Sequence, residues 1–169
     1  FSEGRLDEGP RQLLETVTDK PAAPALDLAC GNGVIGAWLR HHWPGLTVTL
    51  ADVHWQALRC AQAALNGEEG VSVVPSDGLS GITDRYASVL SNPPFHQGQK
   101  KNLAPINGWF SELPDFLEPD SEIRLVANAF LPYQDPMTRF IGPVRVLSDD
   151  GRYRVYSVTR SIHARNVGN

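Results

Sequence analysis

Cysteine, methionine and aromatic residues are scarce in these 169 residues, and so is basic charge. Two cysteines, Cys30 and Cys60, cannot build a disulfide framework, so a reducing, cytoplasmic setting is expected and the fold must rest on its own core. Lys and Arg number 15 against 19 Asp and Glu, a formal charge of −4. Proteins that bind nucleic acid usually carry a basic excess, so any phosphate contact must come from a local patch or from further chain. No apolar run approaches the ~20 residues that span a bilayer, and no membrane partner is expected. His41, His42, His54 and His163 show no metal-ligand spacing with the cysteines or each other, so no metal is expected. The opening "FSEGRLDEGP" does not read as a signal peptide, and its lack of Met suggests a piece of a longer chain. Repeats and low-complexity tracts are absent. The length suits one domain over 1–169, expected as a monomer.

What is present is an alternation of short apolar runs with amphipathic segments, which argues for helices packed on a parallel sheet. "PALDLA", "LTVTLADV", "VSVVPSD", "YASVLSN" and "SEIRLVANAF" read as five strands. "VIGAWLRHH" and "HWQALRCAQAALNG" read as helices, the second ended by Asn66-Gly67 as a C-cap. "VRVLSDDGRYRVYSVTR" reads as two strands joined at Asp149-Asp150-Gly151, an antiparallel hairpin. "QKKNLAPINGWFSELPDFLEP" is a poor helix, interrupted by Pro105, Gly108 and Pro114. The expected fold is α/β and Rossmann-like: a doubly wound, mostly parallel sheet with a C-terminal antiparallel strand pair. In such sheets ligands bind beyond the carboxyl ends of the strands. The residues there are Asp27 to Gly36, Asp52 with Val53, Ser76-Asp77, and Asn92 to Phe95.

"DLACGNGVIG" places Gly31-x-Gly33-x-x-Gly36 directly after a strand and at the start of a helix. Glycines there let the backbone approach a ligand, and Asp52 follows about 20 residues on to hold ribose hydroxyls. That pattern alone fits a nicotinamide dinucleotide enzyme. Asp27, however, sits where a pyrophosphate would lie, and Asp77 is a third carboxylate at a strand end. An acidic loop suits the ammonium and sulfonium of S-adenosylmethionine better, with Asp77 placed to accept from the adenine amine.

"SNPPFHQG" ends the fourth strand in a stiff corner. Methylating an aromatic amine requires its lone pair to be pulled out of ring conjugation. Two rigid acceptors for the N–H bonds do that: the Asn92 side-chain oxygen and the carbonyl of Asn92 or Pro93. The prolines fix φ and lack N–H groups, so the corner is pre-organised to accept. Phe95 offers a face on which a base stacks. Cytosine C5 chemistry is disfavoured, since it needs a cysteine nucleophile and neither Cys30 nor Cys60 lies on the corner. Cys30 is read as loop packing and Cys60 as part of a buried helix face.

"DLACGNGVIG", "SNPPFH" and "VANAFLPY", with "FSEGRLDEGP" upstream, resemble the catalytic half of the ribosomal RNA small subunit methyltransferase C family, from Phe1 to about Arg160. The resemblance implies a class I methyltransferase that forms N2-methylguanine in 16S rRNA from S-adenosylmethionine, leaving S-adenosylhomocysteine. It further implies the small ribosomal subunit as partner, and an additional N-terminal methyltransferase-like domain. By the family's pattern Asp27, Ala29, Gly31 and Gly33 line the methionine part of the cofactor, Asp52 and Val53 the ribose side, and Asp77 the adenine. Ala29 stands where class I methyltransferases commonly have glycine. Asn92, Pro93 and Phe95 hold the guanine, with Asn92 also bordering the cofactor. The sister large-subunit guanine-N2 enzyme shares "NPPFHQ" but not "ANAFLPY". Glutamine methyltransferases of release factors share the Asn-Pro-Pro corner but usually carry tyrosine at the position of Phe95. A degenerate, non-catalytic RNA-binding module is the remaining alternative.

On the RNA side the candidates are Pro94, His96, Lys100 and Lys101, just beyond the corner, and Tyr133 in the loop after the fifth strand. Arg152 and Arg154 alternate on one strand and either touch RNA or protect a sheet edge. Trp38, Trp43 and Trp55 are read as core.

Overall fold

The computed structural model describes residues 6–65, 67–94 and 104–160. Near-continuous apolar runs make strands that are covered on both faces. Two of them, β1 (Ala25–Leu28) and β2 (Val48–Asp52), are buried along their whole length. With β3 (Val71–Pro75), β4 (Tyr86–Ser91), β5 (Leu117–Asn128), β6 (Val144–Asp149) and β7 (Tyr153–Thr159) they form one sheet in the order β3-β2-β1-β4-β5-β7-β6. The five strands from β3 to β5 run parallel, while β7 is antiparallel to both β5 and β6. The doubly wound sheet with an antiparallel C-terminal pair is as expected.

Three helices cover one face: α1 (Glu8–Glu15), α2 (Val34–His42) and α3 (Trp55–Ala64). Leu13, Ile35, Leu39, Leu58 and Ala61 bury themselves there against Val48 and Leu50. The other face carries α4 (Ala104–Glu112), a 3-10 turn at Leu113–Phe116 and α5 (Gln134–Phe140). Its core joins Ile106, Phe110 and Met137 to Leu26, Val89 and Leu125.

Four local features differ from the expectations. Neither α1 nor α5 was read from the sequence, and each carries a proline, Pro10 and Pro136. Both fall in a first turn, where no backbone N–H is needed and proline is tolerated. The same reason lets α4 run unbroken through Pro105, and a Cβ on Gly108 would meet nothing. Strand β5 begins at Leu117, four residues before Ser121; its register against β4 shifts between Tyr86 and Ser88, and Asp120 has φ 62°. Cys60 and Trp55 are corrections. The buried stripe of α3 is Leu58 and Ala61, continued by Leu65, so Cys60 faces outward and Trp55, at the helix start, is 63% exposed. Trp38 and Trp43 pack against the core as expected.

Candidate active site

The sheet reverses its winding between β1 and β4, and crevices open at such points. Leu28 and Ser91 are register partners, so the glycine loop after β1 and the Asn92-Pro93 corner after β4 leave the sheet side by side. The Ser91 hydroxyl donates to the Leu28 carbonyl at 2.6 Å and ties the two exits together.

On the loop side, Asp27 is fully buried and its Oδ2 accepts the Gly36 N–H at 2.9 Å. Its Oδ1, also buried, has no hydrogen-bond partner among the described residues. Burial raises the Asp27 pKa to about 7; the Gly36 N–H opposes the rise and the Asp52 charge adds to it. Asp52 accepts from Gly31 N through Oδ2 and from His54 N through Oδ1, both at 2.8 Å. Each carboxylate oxygen keeps a lone pair for a hydroxyl. Burial, and then the charges of Asp27 and Asp52, push the Cys30 thiol far up, so Cys30 is a protonated packing residue rather than a nucleophile.

Glycine is required here for two different reasons. At Gly33 (φ 84°) a Cβ would stand 2.8 Å from Ala61 Cβ and 3.0 Å from Leu50 Cδ2, so its role is close helix packing. At Gly31 (φ 53°) a Cβ would meet nothing within 4 Å, so that backbone borders open space. Ala29 adopts φ 56°, a left-handed conformation that an alanine pays for in strain. An orphaned buried carboxylate oxygen, an open cradle beside Gly31 and a wholly acidic set of side chains fit a cationic ligand. Val53, 57% exposed, and the exposed Asp77 stand at the neighbouring strand ends. The Ser76 hydroxyl, which donates to Gly78 O and accepts from Gly81 N, fixes the loop that carries Asp77.

On the corner side, Asn92 and Pro94 are exposed and Pro93 is buried. Phe95, His96, Lys100 and Lys101 lie outside the described residues. Asn92 and Pro93 line a cleft of about 370 Å³ together with Asp7, Glu8, Asn128 and Arg152. Of these four, Arg152 was already a candidate RNA contact from its alternation with Arg154, whereas only their presence in the "FSEGRLDEGP" and "VANAFLPY" segments hinted at Asp7, Glu8 and Asn128. Tyr133 is a correction. It is fully buried, edge to face with Phe110 at 5.8 Å, because the loop after β5 turns inward at Leu131. It presents no face to a substrate.

The sequence profile of the methyltransferase small domain matches residues 1–157. The chain belongs to that family. Among relatives of this chain, the ribosomal RNA small subunit methyltransferase C of Hahella chejuensis is 40% identical over 95% of the chain, and that of Photorhabdus laumondii 41% over 95%. These matches bear out the resemblance read from the motifs. The chain spans about half the length of these relatives, 47% and 48% respectively. Two solved structures share the methyltransferase fold. A 16S rRNA N2 methyltransferase of T. thermophilus, in complex with AdoMet and guanosine, superposes with TM-score 0.81 at 24% identity, over 95% of this chain and 45% of that one. A methyltransferase from Pyrococcus furiosus gives 0.73 at 16% identity, over 95% and 86%.

Proposed function

We propose that this chain carries out the transfer of a methyl group from S-adenosylmethionine to the exocyclic N2 of a guanine in 16S rRNA. The observation that carries the reading is the emergence of the glycine loop and the Asn-Pro-Pro corner from adjacent, register-paired strands. This puts a cradle for a cationic donor next to a pair of acceptors for an amine. The names of the relatives, and the guanosine held by the T. thermophilus enzyme, favour guanine as the base.

Bound S-adenosylmethionine supplies an electrophilic methyl group on a sulfonium. Asp27 and the backbone at Gly31 hold its methionine part, Asp52 and Val53 the ribose side, and Asp77 the adenine. Asn92 Oδ1 and the carbonyl of Asn92 or Pro93 accept the two N–H bonds of N2 and aim its lone pair at the methyl carbon. Once methylated the nitrogen is acidic and releases its proton to solvent, so no strong base is needed. The guanine must leave its stack to reach the corner, with Phe95 as a stacking face and Pro94, His96, Lys100 and Lys101 toward the RNA. The same reading takes the small ribosomal subunit and an N-terminal methyltransferase-like domain as partners, the cytoplasm as setting and a monomer as state. No helix among the described residues is long and apolar enough to cross a membrane.

The test is transfer from radiolabelled S-adenosylmethionine to unmodified small subunits, large subunits and release factors, using the complete natural protein that carries this sequence. The expected result is label in 16S rRNA, recovered as N2-methylguanosine. Label in 23S rRNA or in a release factor moves the assignment to the sister enzymes. Cofactor binding without transfer to any acceptor points to a non-catalytic module.

A further inference from the structure

We propose that Arg152 is the residue that distinguishes guanine, by donating to the O6/N7 edge of the base while N2 sits at Asn92. This rests on the methyl-transfer reading above. Arg152 and Asn92 line the same cleft, and Arg152 is the one cation among its described lining residues. β5 lies between β4 and β7, so the backbones of the two residues are two strand spacings, ~10 Å, apart across the sheet. Along the strands, Ser91 pairs with Leu125 and Asn128 with Tyr153, which sets Arg152 about three residues, ~10 Å, further out. An arginine and an asparagine with a purine between them bridge that diagonal.

The arginine is held ready. Its N–H donates to Asp150 Oδ1 at 2.8 Å, and its carbonyl accepts from Ala129 N at 2.9 Å. The side chain lies over the Tyr153 ring, 5.3 Å from its centroid, with Nη1 donating to Glu8 Oε2 at 2.7 Å. A guanidinium has five N–H donors, so most of the fork is left for a ligand. Gly9 of α1 lies close to both partners: a Cβ there would stand at ordinary contact distance, 3.4 Å from Tyr153 and 3.9 Å from Asn92 Nδ2. A bidentate donor facing O6 and N7 is the commonest specific contact to guanine. A phosphate is a poorer occupant, because the carboxylates of Asp7 and Glu8 line the same cleft and would repel it.

The experiment maps the labelled nucleotide and then compares RNAs carrying guanine or 2-aminopurine at that position, the latter keeping N2 but lacking O6. The complete protein is used, as wild type, Arg152→Ala and Arg152→Lys. The wild type is expected to prefer guanine in kcat/KM by roughly 10–100-fold, the worth of a charged hydrogen bond. Arg152→Ala should lower transfer to guanine more than to 2-aminopurine, which keeps N7 but offers no O6, and so shrink the preference. Arg152→Lys, which keeps the charge but not the fork, should shrink it too. Equal losses on both RNAs, with a shallower salt dependence, would overturn the proposal in favour of a phosphate contact. Unchanged transfer by both variants would reduce Arg152 to a surface tie with Glu8. If the wild type binds cofactor but transfers to neither RNA, the methyl-transfer reading itself fails, a result distinct from the other two.

Discussion

On the β1–β3 side of the sheet, Asp27 and Asp52 are 0% and 8% exposed, and each is held by backbone N–H groups of the loop it supports. On the β4–β7 side two ion pairs near the cleft are held side chain to side chain: the exposed Glu8 with Arg152 and the half-exposed Asp149 with Arg154. Backbone donors cannot drift, and a buried carboxylate bonded to them keeps its geometry before any ligand arrives. Exposed ion pairs contribute about 0–1 kcal/mol and exchange partners readily. The first arrangement suits a ligand that is the same at every turnover. The second suits a macromolecule that enters, is read and leaves.

The largest effect is expected at the Asn-Pro-Pro corner. Asn92→Ala is expected to lower methyl transfer roughly 10²–10³-fold while changing cofactor affinity far less. Calorimetry beside single-turnover kinetics checks this, and equal losses in both would mean the halves do not divide the work. Next come the two loop glycines. Gly33→Ala forces a Cβ into Ala61 and Leu50 at positive φ and should destabilise the fold by about 3 kcal/mol in urea unfolding. Gly31→Ala meets no neighbour, so it should cost about 1 kcal/mol of stability and act mainly on cofactor binding.

The buried acid gives a smaller, pH-dependent signal. Asp27 has a folded pKa of about 7 against 3.8 for the free side chain. Between those values the folded state binds more protons than the unfolded one, so stability falls as pH rises from 4 to 7. The slope from this group reaches about 1.4 kcal/mol per pH unit. Asp27→Asn should remove it from the pH profile of unfolding. The same ionisation favours a cation, so S-adenosylmethionine should bind more tightly as pH rises through 7 in the wild type and not in the variant. The smallest effect is at Ala29, where glycine relieves the left-handed strain. Ala29→Gly should raise stability by up to ~1 kcal/mol, read as a higher unfolding midpoint.

Much of the first half was legible because its contacts are short in sequence. Asp27 and Gly36 are nine residues apart, and the Asp52 bond to Gly31 spans 21, within one strand-loop-helix-strand unit whose apolar periods are plain. Helices α1 and α5 are only 8 and 7 residues long, too short for a clear apolar period, and their prolines stand in first turns. Tyr133 was misplaced because no pattern tells whether a loop after a strand turns toward solvent or, as at Leu131, toward the core.

The sequence by itself determined the sheet, its antiparallel end and the chemistry of the glycine loop and the proline corner, since each is written in a run of neighbouring residues. Only the tertiary structure decided what stands opposite Asn92. Glu8 and Arg152 meet across 144 residues because β7 slots in beside β5 and α1 packs over both. No local periodicity encodes that pairing. It follows from the order in which the strands lie, and strand order is set by burying both faces of the sheet at once.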